Sequence, residues 1–262
     1  MLVLAHLSDT HLDGTVAVAD RARAAMRYLE ALPYDLDAVL VTGDIADHGL
    51  PEEYEEAREI LASRHPVLVC PGNHDVRAAF REVLLKGVPV AGGPDDPVNQ
   101  VHRTPNGVIA LCDSSIPGRD DGLLDDGTLA WLADVLAETP DDLPVLVAFH
   151  HPPATLHAPP VDGIRQFGAD RLAELVGRHP RVAALLCGHA HTGAATTFAG
   201  RPLLVAPGIK STVLLPWEYG AGDGSGGAPG PEVYVDLRLP PALAFHVLDD
   251  SGRLTTHFRV LA

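Results

Sequence analysis

Short apolar runs that stop abruptly at polar residues recur along the chain. Leu2–Leu7 ends at Ser8, Asp9, Thr10 and His11; residues 38–41 end at Thr42, Gly43 and Asp44; Val67–Cys70 ends at Pro71, Gly72, Asn73, His74 and Asp75. Residues 108–112 end at Asp113, Ser114 and Ser115; residues 145–149 at His150 and His151; Val182–Cys187 at Gly188, His189, Ala190 and His191. Near-continuous Val/Leu/Ala runs of this length predict strands buried on both faces. Between them, residues 17–32, 51–62, 76–85, 128–136 and 169–176 have helix composition. Pro51 suits a first helical position, and Glu52 and Glu53 fall in the first turn, where the helix dipole favours acids. Strands alternating with helices predict an α/β fold with a largely parallel sheet, and such sheets bind ligands beyond the carboxyl ends of their strands. All six polar clusters sit at that end and are expected to meet at one rim.

The last third changes character. Residues 195–198 and 203–206 flank Ala199, Gly200, Arg201 and Pro202, a hairpin pattern. Ala242–Leu248 and Leu254–Val260 flank Asp249, Asp250, Ser251 and Gly252, a strong turn signal. These late strands are expected to build a second, more antiparallel sheet. Residues 220–230 are glycine-rich and predict a loop. With no repeat and no clear boundary, residues 1–262 read as one domain whose segment 195–262 is mostly β.

Charge narrows the partners. Lys and Arg number 19 against 35 Asp and Glu, a net charge of −16. That balance argues against polymeric nucleic acid or an anionic membrane, because both need a basic face. Small phosphorylated substrates remain open if metal ions supply local positive charge. Cys70, Cys112 and Cys187 all lie near the ends of apolar runs, without C-x-x-C spacing, and read as buried thiols rather than a thiolate zinc site. The start lacks a basic n-region and has too short an apolar run for a signal peptide, and no stretch approaches the ~20 residues of a membrane span. A cytoplasmic protein is expected. Apolar residues in the late strands and at 214–219 offer either core packing or a homodimer surface.

The rim collects Asp9, His11, Asp44, Asn73, His74, His150, His151, His189 and His191. Imidazoles and carboxylates with one amide suit Mn, Fe or Zn better than Ca or Mg. In an extended segment residues two apart share a face, so Asp9/His11 and His189/His191 are each expected to aim two ligands at one region. The count exceeds one ion's shell and suits two ions roughly 3.5–4 Å apart. His150 and His151 are adjacent, so only one is expected to ligate. Pro152 biases His151 to an extended backbone, which is expected to turn its ring from that of His150. Asp113, Ser114 and Ser115 are expected to be structural, and His48 and His157 follow the clusters closely enough to approach a substrate.

Five ordered blocks carry a resemblance: D-x-H (Asp9, His11), G-D (Gly43, Asp44), G-N-H-D (Gly72 to Asp75), the histidine of HHPP, and G-H-x-H (Gly188 to His191). The sequence resembles the calcineurin-like metallophosphoesterases over residues 9 to 191. The blocks around residues 9–12, 111–118 and 150–153 resemble bacterial class III cyclic-nucleotide phosphodiesterases and related glycerophosphodiesterases. The resemblance implies a four-layer αββα sandwich with two mixed sheets and a dinuclear metal site at the strand ends. It implies one metal on Asp9, His11 and His191, a second on Asn73, His150 and His189, and Asp44 as the bridge. It implies in-line attack of a metal-bridging hydroxide on a small phosphodiester, first among them a 3′,5′-cyclic nucleotide such as cAMP. His74 would act as general acid or electrostatic stabiliser, and Asp75 as its orienting partner or as a helix N-cap. His151 would stand behind the ligands or beside the substrate. The alternatives are a phosphomonoesterase, a broad glycerophosphodiesterase-like enzyme, or a non-catalytic scaffold; the last should have lost ligands, and none is missing. Segments 87–105, 153–167 and 209–231 are expected to set the substrate.

Overall fold

The computed structural model describes residues 1–219 and 230–261; most of the glycine-rich segment 220–230 lies outside them. The first half runs β1 (Leu2–Leu7), α1 (Val16–Glu30), β2 (Ala38–Thr42), α2 (Pro51–Ile60), β3 (Val67–Cys70), α3 (Arg77–Val83), β4 (Gln100–Thr104) and β5 (Gly107–Leu111). Then come α4 (Asp126–Glu138), β6 (Val145–Ala148), α5 (Pro159–Asp162), α6 (Asp170–Arg178), β7 (Val182–Cys187), β8 (Ala194–Phe198) and β9 (Arg201–Val205). The chain closes with β10 (Thr212–Val213), α7 (Pro216–Tyr219), α8 (Pro231–Tyr234), β11 (Val235–Asp236), β12 (Ala242–Leu248) and β13 (Leu254–Val260).

Two mixed sheets result, in the orders β13-β12-β1-β2-β3 and β4-β5-β6-β7-β9-β8. Strands β1, β2 and β3 are parallel, as are β5, β6, β7 and β9. Buried apolar side chains fall into three layers, which define the sandwich. One packs α1, α2 and α3 on the outer face of the first sheet, through Ala22, Met26, Tyr54, Phe80, Val39 and Val41. Another packs α4 and α6 on the second sheet, through Leu132, Leu136, Leu175, Val147 and Leu185. Between the sheets lie Leu4, Leu40, Ile109, Leu146, Ala148, Ala184 and Leu186. Strands buried on both faces need apolar residues at every position, which is why these runs lack alternation.

The two late hairpins do not form a sheet of their own, and only the short β10 and β11 pair apart from the large sheets. The β8/β9 hairpin extends the second sheet beside β7, whereas β12/β13 extends the first beside β1. In each sheet an antiparallel hairpin thus extends the block of parallel strands, while β3 remains the outer strand of the first sheet. Strand β4 is absent from the hydrophobic pattern because QVHRT, an edge strand, is only half-buried. The three cysteines are buried and free. Among the described residues no helix is long and apolar enough to cross a membrane.

Candidate metal centre

The strand ends do meet. Asp9, His11, Asp44, His150, His151 and His189 are all buried, and Asp9 and His150 are fully so. Backbone bonds stitch the clusters together: Asp9 N donates to Gly43 O at 3.1 Å, His11 N to Asp44 O at 2.9 Å, and Gly188 N to His150 O at 3.0 Å. The i, i+2 pairs do not converge by strand alternation. Asp9, His11, Asp44, His189 and His191 all adopt left-handed backbone, with φ of 57°, 41°, 49°, 69° and 50°. Such conformations cost non-glycine residues roughly 1–3 kcal/mol each and persist where the surroundings over-determine them. Two glycines make room. A Cβ on Gly43, whose φ is +82°, would lie 2.5 Å from His150 Nδ1, and one on Gly72 would stand against the Asp44 carboxylate.

Hydrogen bonds behind the rings decide which nitrogens face inward. His11 Nδ1 lies 2.9 Å from the Asp47 carboxylate. A carboxylate only accepts, so Nδ1 holds the proton and Nε2 presents a lone pair. His150 Nδ1 donates to the Thr42 carbonyl at 2.6 Å, with the same consequence for its Nε2. His191 Nδ1 rests on Ser211 Oγ at 2.7 Å. Its Nε2 lies 3.0 Å from His11 Nε2 and 3.4 Å from Asp9 Oδ1, a buried oxygen with no hydrogen-bond partner among the described residues. His189 Nδ1 lies 3.2 Å from His150 Nε2. The two sets share Asp44, whose Oδ2 is 3.5 Å from His11 Nε2 and 3.3 Å from His150 Nε2. Converging buried imidazole nitrogens and carboxylate oxygens fit a cation, whose place a proton on His150 takes in the metal-free protein, and two such groups fit two. Groups with metal-holding spacing are Asp9/His11/His191, His150/His151/His189, Asp9/Asp44/His150 and His11/Asp44/His74.

Electrostatics agree. Burial opposes charge on His150, yet Asp44 and Asp9 raise it to about 9. Burial raises Asp9 to about 6, while Asp44, also opposed by burial, is held well below its usual range by His150 and His11. Burial and His150 bring His189 down to about 3.

The expected role of Asp75 changes. Asp75 makes no hydrogen bond to the His74 ring, nor does it cap α3, whose N-cap is Val76. Its carboxyl accepts from Gly72 N at 2.8 Å, Ile45 N and Ala46 N at 3.2 Å, and Tyr54 Oη at 3.0 Å. It clamps the loop after β2, which carries Asp44, to the loop after β3. His74 is positioned instead by Asp47, whose carbonyl takes its Nδ1 at 2.8 Å, while His74 N donates to Asp44 Oδ1 at 2.9 Å. The ring of His151 turns from that of His150 yet stays against it. It crosses His150 at 85° with centroids 4.7 Å apart. Its Nε2 reaches Asn73 Oδ1 at 3.1 Å and its Nδ1 reaches Ser114 Oγ at 2.8 Å. Asp113 and Ser115 are structural: Asp113 receives Arg77 Nε at 2.8 Å and Ser115 N at 2.8 Å. His48 is exposed, with Nδ1 on Glu53 at 2.6 Å, and His157 is exposed in the loop before α5.

Sequence reading missed Asp47, Thr42, Ser211 and Lys210. Lys210 Nζ bonds Asp47 Oδ1 at 2.9 Å, and Lys210 N and Ile209 N pair with Asp9 O and Ser8 O at 3.0 Å. Their only signal was position: Asp47 shares a block with Asp44, and 209–231 was marked as a substrate segment.

Fold and site together define a class: a two-sheet α/β sandwich presenting an acid- and imidazole-lined cation centre at its strand ends. The model of the calcineurin-like phosphoesterase family matches residues 2–193, and the chain belongs to that family of metallophosphoesterases. It is 37% identical over 216 residues to the glycerophosphodiester phosphodiesterase GpdQ of Enterobacter lignolyticus, covering 79% of this chain and 77% of that one. It is 34% identical over 238 residues to a probable cyclic nucleotide phosphodiesterase of Rhodococcus erythropolis, covering 87% and 77%. In fold it is similar to a dimetal phosphatase from Danio rerio, with a TM-score of 0.70 at 17% identity, over 100% of this chain and 96% of that one.

Proposed function

We propose that the enzyme hydrolyses small phosphodiesters, cyclic nucleotides first, at a centre holding two transition-metal ions. One observation carries the reading: a single oxygen, Asp44 Oδ2, faces imidazoles of both ligand sets, at 3.5 and 3.3 Å. In this reading Asp9, His11 and His191 would hold one ion and Asn73, His150 and His189 the other, with Asp44 shared between them. Mn, Fe and Zn all suit this donor set. Bound ions supply Lewis acidity, neutralising phosphate charge and lowering the pKa of water. The chain's own residues orient and exclude. Asp47 and the Thr42 carbonyl fix the tautomers of His11 and His150, and Ser211 holds the His191 ring in place. His151, donating through Nε2 to the Asn73 carbonyl oxygen, orients that amide and has no lone pair on Nε2 to give a metal. His74, with Nδ1 on a carbonyl, keeps Nε2 at the open rim, where it acts on a phosphoryl or leaving oxygen as general acid or electrostatic stabiliser.

Both curated relatives described above are named as diesterases, which supports diesters over monoesters. The substrate panel is therefore cAMP, cGMP, a glycerophosphodiester and matched monoesters, each with Mn, Fe or Zn. Preference for 3′,5′-cyclic nucleotides is expected. Preference for the glycerophosphodiester selects that second reading, and preference for monoesters overturns the proposal. Purified protein that binds no transition metal and stays inactive with added Mn points to a scaffold.

A further inference from the structure

Behind the rim, between the two sheets, runs a line of polar side chains that the proposed chemistry does not use. His6 on β1 and His246 on β12 are both buried. Thr256 Oγ1 lies 2.9 Å from His246 Nδ1, His246 Nε2 lies 3.0 Å from His6 Nδ1, and His6 Nε2 lies 2.9 Å from Thr42 Oγ1. Thr42 Oγ1 continues to Ser8 Oγ at 3.1 Å, and Ser8 Oγ to the Thr42 carbonyl at 2.8 Å. That carbonyl is the one on which His150 Nδ1 docks.

The last acceptor orders every proton in the line. A carbonyl oxygen only accepts, so Ser8 gives its hydroxyl proton to Thr42 O, and Thr42 gives its own to Ser8 Oγ. Thr42 Oγ1 is then the acceptor for His6 Nε2–H. The lone pair left on His6 Nδ1 takes His246 Nε2–H, and His246 Nδ1 takes the hydroxyl proton of Thr256. Reversing the histidines leaves the Thr42–Ser8 contact without a proton. Burial, and for His6 its neighbour His246, hold both rings below the usual imidazole range, His246 at about 3, so each carries one proton at neutral pH. Ser8 precedes Asp9, and Thr42 is two residues before Asp44, so the line also braces the ends of β1 and β2 against His150.

We propose that His6 and His246 are positioning residues: their one-way hydrogen-bond chain pins the Thr42 carbonyl, and through it keeps His150 Nε2 turned toward Asp44. The effect on metal affinity rests on the reading of His150 as a ligand; the positioning itself does not. Imidazole nitrogen NMR on metal-free protein at pH 7 reads the chain directly. Both His6 and His246 should be neutral with the proton on Nε2. A proton on Nδ1 of either, or a doubly protonated ring, overturns the chain. His246→Gln offers an acceptor and a donor in place of Nδ1 and Nε2–H, whereas His246→Leu keeps bulk and offers neither. The Leu variant should shift the His150 Nδ1–H resonance and weaken Mn binding at the His150 site about tenfold, and Gln should restore both. Equal loss in both variants is a merely structural effect and overturns the positioning role, as does no loss in either. If the wild type binds no Mn, the metal-centre reading fails, and the His150 resonance in the same two variants still decides the positioning.

Discussion

Asp47 offers the sharpest test of how the centre is held, because it touches one ligand set and not the other. Its Oδ1 takes His11 Nδ1 and Lys210 Nζ, each at 2.9 Å, and its side chain is 21% exposed. Asp47→Ala removes the carboxylate that fixes the His11 tautomer and ring plane. Loss of such a supporting group lowers metal affinity roughly 10- to 100-fold, or about 1.4–2.8 kcal/mol. Asp47→Asn keeps an oxygen for His11 Nδ1–H but loses the charge, so its loss should fall near or below the lower end of that range. Calorimetric titration of metal-free protein with Mn resolves the two sites. The loss should fall on the site of Asp9, His11 and His191, while the site of His150 and His189, supported by Thr42, keeps its affinity. Two wild-type affinities in Asp47→Ala, or equal loss at both sites, would refute the argument.

His150→Ala should lose about one metal equivalent by elemental analysis, whereas His151→Ala should retain both with weaker binding through a loosened Asn73; the reverse pattern would exchange their roles. Asp75→Asn should destabilise the metal-free protein by about 2–4 kcal/mol in urea unfolding. All four partners of this carboxyl are donors, and an amide NH2 must face at least one of them; an unchanged midpoint would sink the clamp. For pH, His246 has a folded pKa of about 3 against about 6.5 unfolded. Below 6.5 the unfolded chain binds the extra proton, so stability is full above that pH and falls on acidification toward 3, by up to about 1.4 kcal/mol per unit. Comparing unfolding of wild type and His246→Leu across pH 4 to 7 should show this slope lost in the variant.

How much was legible in the sequence varies with the kind of residue. The apolar runs of β1, β2, β3, β5, β6 and β7 were readable because strands buried on both faces demand unbroken apolar composition. Edge strand β4, half-buried, carries no such demand. The rim residues could be collected because metal chemistry restricts ligands to a few types, here at strand ends, and the family resemblance then selected the ligands among them. Asp47, Thr42 and Ser211 could not, because any carboxylate, carbonyl or hydroxyl at the right distance fixes an imidazole, and distance is not written locally. The same limit explains Asp75, whose place beside His74 in the chain says nothing of the four donors that claim it.

Local composition thus determined the strands, the rim they point to and the kind of chemistry gathered there. Tertiary structure decided the rest: that β8/β9 and β12/β13 join different sheets, that five proposed ligands converge through left-handed backbone, and that His150 and His151, neighbours on one strand end, turn to different partners. Those outcomes depend on which distant groups satisfy each buried N–H, carbonyl and imidazole, and only the packed chain brings those groups within hydrogen-bonding distance.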